Sequence, residues 1–296
     1  MAEIDSKKIG LAVIASYPKW YRGKLRSIKH TDKVRGDLAL EFARTVSRTG
    51  YQLVLADSKS SKTFLHEMSL IPGIHLIRRR VLGRGEGKRI ALDRVSTLPG
   101  VEIILLTEAE KISLITDCIK QIAEPILQNK ADIVVPKREE SLFKLTYPHY
   151  MYVSETEGNS IYHEALRSNN IIPQDFPPLD MFFGPRALKN DKKIIALFKR
   201  KYDFSGMSIL EKLYKPDDYS NILYFPIINA FKKNLKVVNV EVPFRYPKIQ
   251  KENEDIGAKE SFIEKRQMQR VGILIDLIHF LSYLEHKKSS RIKKIK

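Results

Sequence analysis

Short apolar runs alternate with segments whose apolar residues recur at helical spacing, and this alternation organises the first half of the chain. Residues 9–16 form a run rich in Ile, Val and Ala, as expected of a strand buried on both faces of a parallel sheet. The run stops at Tyr17 and Pro18, and the polar, basic stretch from Lys19 to Lys33 reads as a long loop. Leu38, Ala39, Phe42, Ala43 and Val46 then mark a helix with Gly50 as its C-cap. The pattern continues with a strand at 51–56, a short helix at 63–69, a strand at 74–78, a helix at 88–96, a strand at 101–106, a helix at 112–127 and a strand within ADIVVPKR. Strands and helices in turn predict an α/β fold, a mostly parallel twisted sheet with helices on both faces.

Beyond residue 140 the alternation fades into aromatic-rich LFKLTYPHYMYV, a helix at 160–168 and Pro-rich IIPQDFPPLD. Helices at 192–201 and 225–233, the alternating strand KVVNVEVPF and a long last helix over 259–286 follow. The expected organisation is one α/β domain over 8–240, elaborated from about residue 141, and a helical extension with a basic tail over 241–296. The apolar stretch VGILIDLIHFLSYL is too short to span a bilayer. Packing on the core is its first reading, and docking at a membrane surface its second.

Composition narrows the class. With 43% hydrophobic and 29% charged residues the balance is that of a globular protein. The single cysteine, Cys118, excludes an internal disulfide framework and a Cys-based metal site, so a reducing, cytoplasmic setting is the simplest expectation. No secretory signal is visible at MAEIDSKKIG. A net charge of +17 favours polyanionic partners, among them nucleic acid, anionic lipid and phosphorylated substrates. Two clusters concentrate it, IRRRVLGRGEGKR and the tail HKKSSRIKKIK.

Candidate chemistry collects where apolar runs end, along the edge at which open α/β sheets bind ligands. Glu108 and Glu110 stand at i and i+2 at the end of a strand, so both carboxylates can face one Mg²⁺ or Mn²⁺. Acidic residues there also suit the N-terminus of the next helix. Gly83, Gly85 and Gly87 permit close backbone approach, and Arg84, Lys88 and Arg89 surround them with positive charge before a helix begins. That combination suits a diphosphate, although the spacing matches neither a P-loop nor a dinucleotide fingerprint. Asp57 can accept hydrogen bonds from a base or ribose, or equally cap the following helix. Asp180, among aromatic residues in LDMFFGPRAL, is a general-base candidate if desolvation raises its pKa, with a turn-stabilising role as the alternative. The seven histidines form no metal-binding pair, and no nucleophile elbow is present.

In order, these pieces resemble the glycosyltransferase A fold, particularly the family 2-like enzymes that use nucleotide-diphospho-sugars. LAVIASYP is similar to that family's opening strand and nucleotide-binding turn, which places Ala15, Ser16 and Tyr17 at the donor. VLADSKSS resembles its second strand, with Asp57 toward the base, and GRGEGKRIAL its Gly-Lys loop. LLTEAEK stands at its Asp-x-Asp motif. The resemblance covers about residues 8–190. It implies a nucleotide-diphospho-sugar donor, a hydroxyl acceptor, Glu110 as metal ligand with Glu108 as its partner toward the ribose or metal, and Asp180 on the acceptor side, while the local positive charge favours an anionic acceptor. The chain departs from the pattern in the longer Glu-Ala-Glu and in the adjoining Lys111, a cation placed to replace part of a metal's charge. The family's later metal-binding His has no counterpart around VPFRYPKIQKE, where Tyr246, Gln250 and Glu252 are the polar groups. Competing readings are a sugar nucleotidyltransferase and a non-catalytic basic protein that binds nucleic acid or peripherally contacts anionic membrane.

Overall fold

The computed structural model describes residues 5–78, 83–204, 215–257 and 259–293, with side chains as far as residue 287. Residues 79–82 of the first basic cluster and most of the basic tail therefore lie outside the described side chains. Seven strands form one sheet: β1 Ile9–Ala15, β2 Gln52–Asp57, β3 Ile74–Arg78, β4 Ile103–Glu108, β5 Ile133–Arg138, β6 Arg186–Lys189 and β7 Val237–Val242. Their order is β3-β2-β1-β4-β6-β5-β7. All neighbours are parallel except β6, which runs antiparallel between β4 and β5. The mostly parallel α/β sheet expected from the alternating pattern is thus the sheet observed.

Both faces are covered, which is why the inner strands read as continuous apolar runs rather than alternating ones. On one face Ala12, Val54, Ile104 and Leu106 pack with helices α3 (Arg84–Ser96), α6 (His149–Ser168), α7 (Lys192–Lys199), α8 (Asp218–Leu223) and α9 (Phe225–Lys232). On the other, Leu11, Val13, Leu55 and Leu105 meet α1 (Thr31–Thr49), α2 (Lys62–Ser69) and α4 (Ile119–Leu127). Short helices α5 (Glu140–Thr146) and α10 (Lys248–Glu252) flank the C-terminal edges of β5 and β7.

The last helix, α11 (Lys259–Lys293), runs along α6. Its inner face buries Ile273, Leu277, Phe280 and Leu281, so packing on the core, the first of its two readings, accounts for that face. Phe280 stacks on Phe225 with ring centroids 4.1 Å apart and meets Tyr202 edge-on at 4.9 Å.

Several boundaries differ from expectation for local reasons. Helix α1 begins at Thr31, inside the stretch read as loop, because its first turn is polar. Helix α3 begins at Arg84 rather than Lys88, with Gly83 as N-cap, so the Gly-rich segment is mostly the helix's first turn. Strand β4 ends at Glu108, two residues later than predicted, and β6 was not predicted at all.

If Phe280 anchors α11, Phe280→Ala lowers stability by about 3–5 kcal/mol. Ile278→Ala on the exposed face of the same helix changes it by less than about 0.5 kcal/mol. Denaturant midpoints of the two variants check this; equal, small shifts exclude the anchoring role.

Candidate functional site

A cavity of about 640 Å³ opens at the C-terminal ends of β1, β2 and β4. Strand order reverses between β1 and β4, and such a switch point leaves a crevice where the crossovers diverge to opposite faces. Ala15, Ser16 and Tyr17 line it from the end of β1, Ser58 and Lys59 from the end of β2, and Gly83 and Arg84 from the first turn of α3. Glu108, Glu110 and Lys111 enter from β4, and Lys265, Arg266 and Gln269 from α11. Register sets Glu108 beside Ile14 and Asp57 beside Ala15, so the acidic residues of β2 and β4 end at nearly one level.

Glu108 is held from several sides. Its Oε1 accepts from the Tyr219 hydroxyl at 2.8 Å and from Lys88 Nζ at 3.3 Å. Lys111 Nζ lies 3.7 Å from its Oε2, an atom with no hydrogen-bond partner. Burial alone raises the pKa of a carboxyl, but Lys88, Lys111 and Tyr219 override it and hold Glu108 at about 2. Lys88 is fully buried and also donates to the Thr107 carbonyl at 3.3 Å. Lys111 donates to the Phe183 carbonyl at 3.0 Å and lies over the Phe183 and Phe244 rings. Gly184 closes this corner with φ of 96°, and a Cβ there would come within 3.2 Å of Glu108 Oε1. Only glycine meets both conditions comfortably.

Glu110 lies beyond the strand, in the turn after buried Ala109, so strand alternation does not aim it alongside Glu108. Its Oε1 pairs with Arg35 Nε at 2.8 Å and accepts from the Tyr17 hydroxyl at 3.0 Å. The two carboxylates share the cavity, yet each faces its own protein cation. Among the described residues no group of three or more His, Cys, Asp or Glu could hold a metal ion. Both carboxylates are instead engaged by protein cations, Glu108 by Lys88 and Lys111 and Glu110 by Arg35, and a divalent ion here would have to draw most of its ligands from substrate phosphates and water.

The other expected residues divide. Asp57 is buried at the end of β2, where its carboxylate accepts the Ser60 N–H, and it does not line the cavity. Desolvation raises its pKa against the pull of Ser60. Gly85 packs under α8, where a Cβ would meet the Asp218 carbonyl at 2.2 Å. Arg89 is taken by Asp218 and by Glu86, the latter at 3.1 Å, so it points away from the cavity. Of the expected loop residues, Gly83, Arg84 and Gly87 line it directly; Lys88 acts through Glu108.

Asp180 departs most from expectation. Arg138 Nε and Nη2 grip its two oxygens at 2.7 and 2.8 Å, Asn159 donates at 2.8 Å, and the Phe183 N–H donates at 3.2 Å. Although desolvation opposes ionisation, Arg138 and Asn159 lower the pKa instead of letting it rise. The raised pKa that motivated a base role is therefore absent, and Asp180 is not part of the cavity wall. Arg138 also donates to Glu155 at 2.7 Å, and Glu155 reaches Arg266 of α11 at 3.7 Å.

Arg35, Tyr219, Glu155, Lys265 and Arg266 were not singled out in the sequence. Of the polar groups near Tyr246, the structure brings Tyr246, Gln250 and Glu254 to the cavity rather than Glu252. Glu254 accepts from Tyr246 at 2.9 Å and from Gln250 at 3.2 Å.

No protein-family model and no curated protein matches the chain. Among solved structures, it is similar to M. tuberculosis glucosyl-3-phosphoglycerate synthase at 13% identity, over 90% of this chain and 81% of that one, with a TM-score of 0.46. It is similar also to 4-diphosphocytidyl-2C-methyl-D-erythritol synthase from Anaerococcus prevotii, at 14% identity over 87% and 100% of the two chains, with a TM-score of 0.43. A TarS fragment from S. aureus aligns at 15% identity over 79% of this chain and 58% of that one, with a TM-score of 0.40. The fold itself, the mostly parallel α/β sheet expected from the sequence, rests on the strand order above. Likeness at these scores adds no residue role and no substrate.

Removing one partner from a buried ion pair leaves the other charge uncompensated. Asp180→Asn is accordingly expected to cost about 3 kcal/mol near neutral pH, read from denaturant unfolding. Because the folded pKa lies below the usual 3.8, wild type keeps this stability above that pH and loses it as pH falls through the folded value. The gap between variant and wild type therefore narrows in acid. A fully stable Asp180→Asn that has lost only activity would return Asp180 to the chemistry.

Proposed function

We propose that the protein is a nucleotide-diphospho-sugar-dependent glycosyltransferase. The observation that carries this reading is the cavity at the β1/β4 switch point, where a helix N-terminus, Arg84 and Lys111 face the ends of β1 and β2. Backbone N–H groups and cations at such a place suit a diphosphate. Ser16, Tyr17 and Ser58 offer hydrogen-bonding groups on the side where the nucleoside would lie.

In the proposed reaction an acceptor hydroxyl attacks the anomeric carbon, and the bond from that carbon to the diphosphate oxygen breaks. The electron pair leaves with the nucleoside diphosphate, and the hydroxyl proton passes to water or to a base. Rate enhancement comes from holding the two reactants in line and from positive charge already in place around the leaving diphosphate. Arg266, Lys265 and Gln269 of α11 close the opposite wall, so they contact the acceptor. Their charge favours an acceptor with a phosphate or carboxylate. Asp180 serves as a positioning residue, since it fixes Arg138 and the turn that carries Phe183 and Gly184.

Thermal-shift measurements against UDP-, GDP-, CDP- and ADP-sugars test the donor. A donor present at 100 times its Kd stabilises the fold by about 2.7 kcal/mol, and the shift is expected for one base in preference to the others. Products then decide the reaction: nucleoside diphosphate supports transfer, whereas pyrophosphate release replaces it with nucleotidyl transfer.

Glu110→Ala frees Arg35 and Tyr17 at the cavity wall. Turnover is expected to fall by about a hundredfold or more with the fold retained, as when one organising group of a preorganised site is lost. Unchanged turnover, measured beside circular dichroism of the same sample, removes Glu110 from the site.

A further inference from the structure

The two carboxylates at the end of β4 face protein cations, and those cations are built into the fold. Lys111 is held by the Phe183 carbonyl at 3.0 Å and lies 4.5 Å from the Phe183 ring centroid, in addition to its approach to Glu108. Lys88 has no exposed surface and is tied to the Thr107 carbonyl as well as to Glu108. Neither is a loose side chain that has swung onto an empty acidic site. Even the Glu108 oxygen that lacks a hydrogen bond, Oε2, is directed at Lys111 Nζ, 3.7 Å away. A divalent cation placed on Glu108 would stand within reach of two fixed ammonium groups, and like charges at such separations repel strongly inside a protein.

We infer that protein cations, with Lys111 at their centre and Arg84 and Arg35 beside it, neutralise the donor diphosphate in this cavity, and that no divalent ion is required. The inference rests on the nucleotide-sugar reading and gives that reading its electrostatics. Lys111 stands next to Glu108, Arg84 projects from the first turn of α3, and Arg35 approaches from α1 beside Glu110. Glu108 and Glu110 then orient cations rather than coordinate metal, Glu108 beside Lys88 and Lys111 and Glu110 beside Arg35. The surplus of positive charge extends to Lys265, whose pKa falls to about 8 through partial burial first and then through repulsion by Arg35, Arg84 and Arg266. An anion in the cavity relieves that repulsion.

Isothermal titration of the full chain with UDP, GDP, CDP and ADP, each in EDTA and in Mn²⁺, tests this. The expected result is that one diphosphate binds with affinities within about threefold in the two buffers. Lys111→Met, with its fold checked by circular dichroism, is expected to weaken the binding in EDTA by about tenfold or more, the loss of one charge-assisted contact. Binding that vanishes in EDTA and returns with Mn²⁺ overturns the inference and leaves the nucleotide-sugar reading intact. Binding in EDTA that Lys111→Met does not weaken overturns the assignment to Lys111. Failure of every nucleotide in both buffers overturns the nucleotide-sugar reading and the inference together. The two-buffer comparison on wild type decides the metal question even if Lys111→Met does not fold.

Discussion

A carboxylate brought to the edge of a sheet and then covered must be compensated, and meeting that demand at Glu108 joins segments distant in sequence. Tyr219 from α8, Lys88 from α3, Lys111 from the turn after β4 and the Gly184 turn before β6 all converge on it. An unpaired charge in a low-dielectric setting costs several kcal/mol, far more than a surface ion pair contributes. Each of these contacts therefore fixes a segment whose own apolar packing leaves its orientation open. The close approach of α8 to α3, which permits no side chain at position 85, follows from the same convergence. Structure at the switch point is set by charge compensation as much as by core packing.

A second compensated charge closes the other side. Arg138 ends β5 inside the protein and is satisfied by Asp180, by Glu155 of α6 and by the face of the Phe143 ring 3.5 Å away. Glu155 in turn faces Arg266, so α11 reaches the cavity through an ionic chain that begins at the sheet. Its other attachment is apolar, the Phe280 cluster further along the helix. With one end held by polar contacts at the cavity and the next turns held by aromatic packing, α11 forms a wall of the site and not a separate appendage.

The sheet was legible because its inner strands are buried on both faces and each is bounded by a turn or a helix with clear periodicity. GLAVIAS and VEIILL need no tertiary information to be recognised. Strand β6 was illegible because it has four residues, and Arg186 within it reads as solvent-facing. The structure satisfies that guanidinium on the carbonyls of Pro185 and Met181, both at 2.7 Å, an arrangement no local pattern announces. The start of α6 was hidden for a different reason. Its first turns are rich in aromatic residues, which have modest helix propensity, and tertiary packing overrides that preference. Candidate site residues at strand ends were legible as a group, since apolar runs stop where the cavity begins. Their roles were not, because a role depends on what lies opposite. Glu110 stands out for its spacing from Glu108 and Asp180 for its aromatic setting, and the structure shows each facing an arginine from elsewhere in the chain.

The same dependence governs the charge of the whole molecule. A net charge of +17 reads in sequence as a diffuse preference for polyanions. In the fold, Arg35 from α1, Arg84 from α3 and Lys265 and Arg266 from α11 meet in one concave place, where burial first and then the charges of Arg35, Arg84 and Arg266 depress the Lys265 pKa. Glu110 compensates Arg35 and Glu155 compensates Arg266, so the cluster is held by ion pairs within the same cavity. Under the proposed function, a phosphate-bearing ligand would meet groups already positioned, at little further ordering cost.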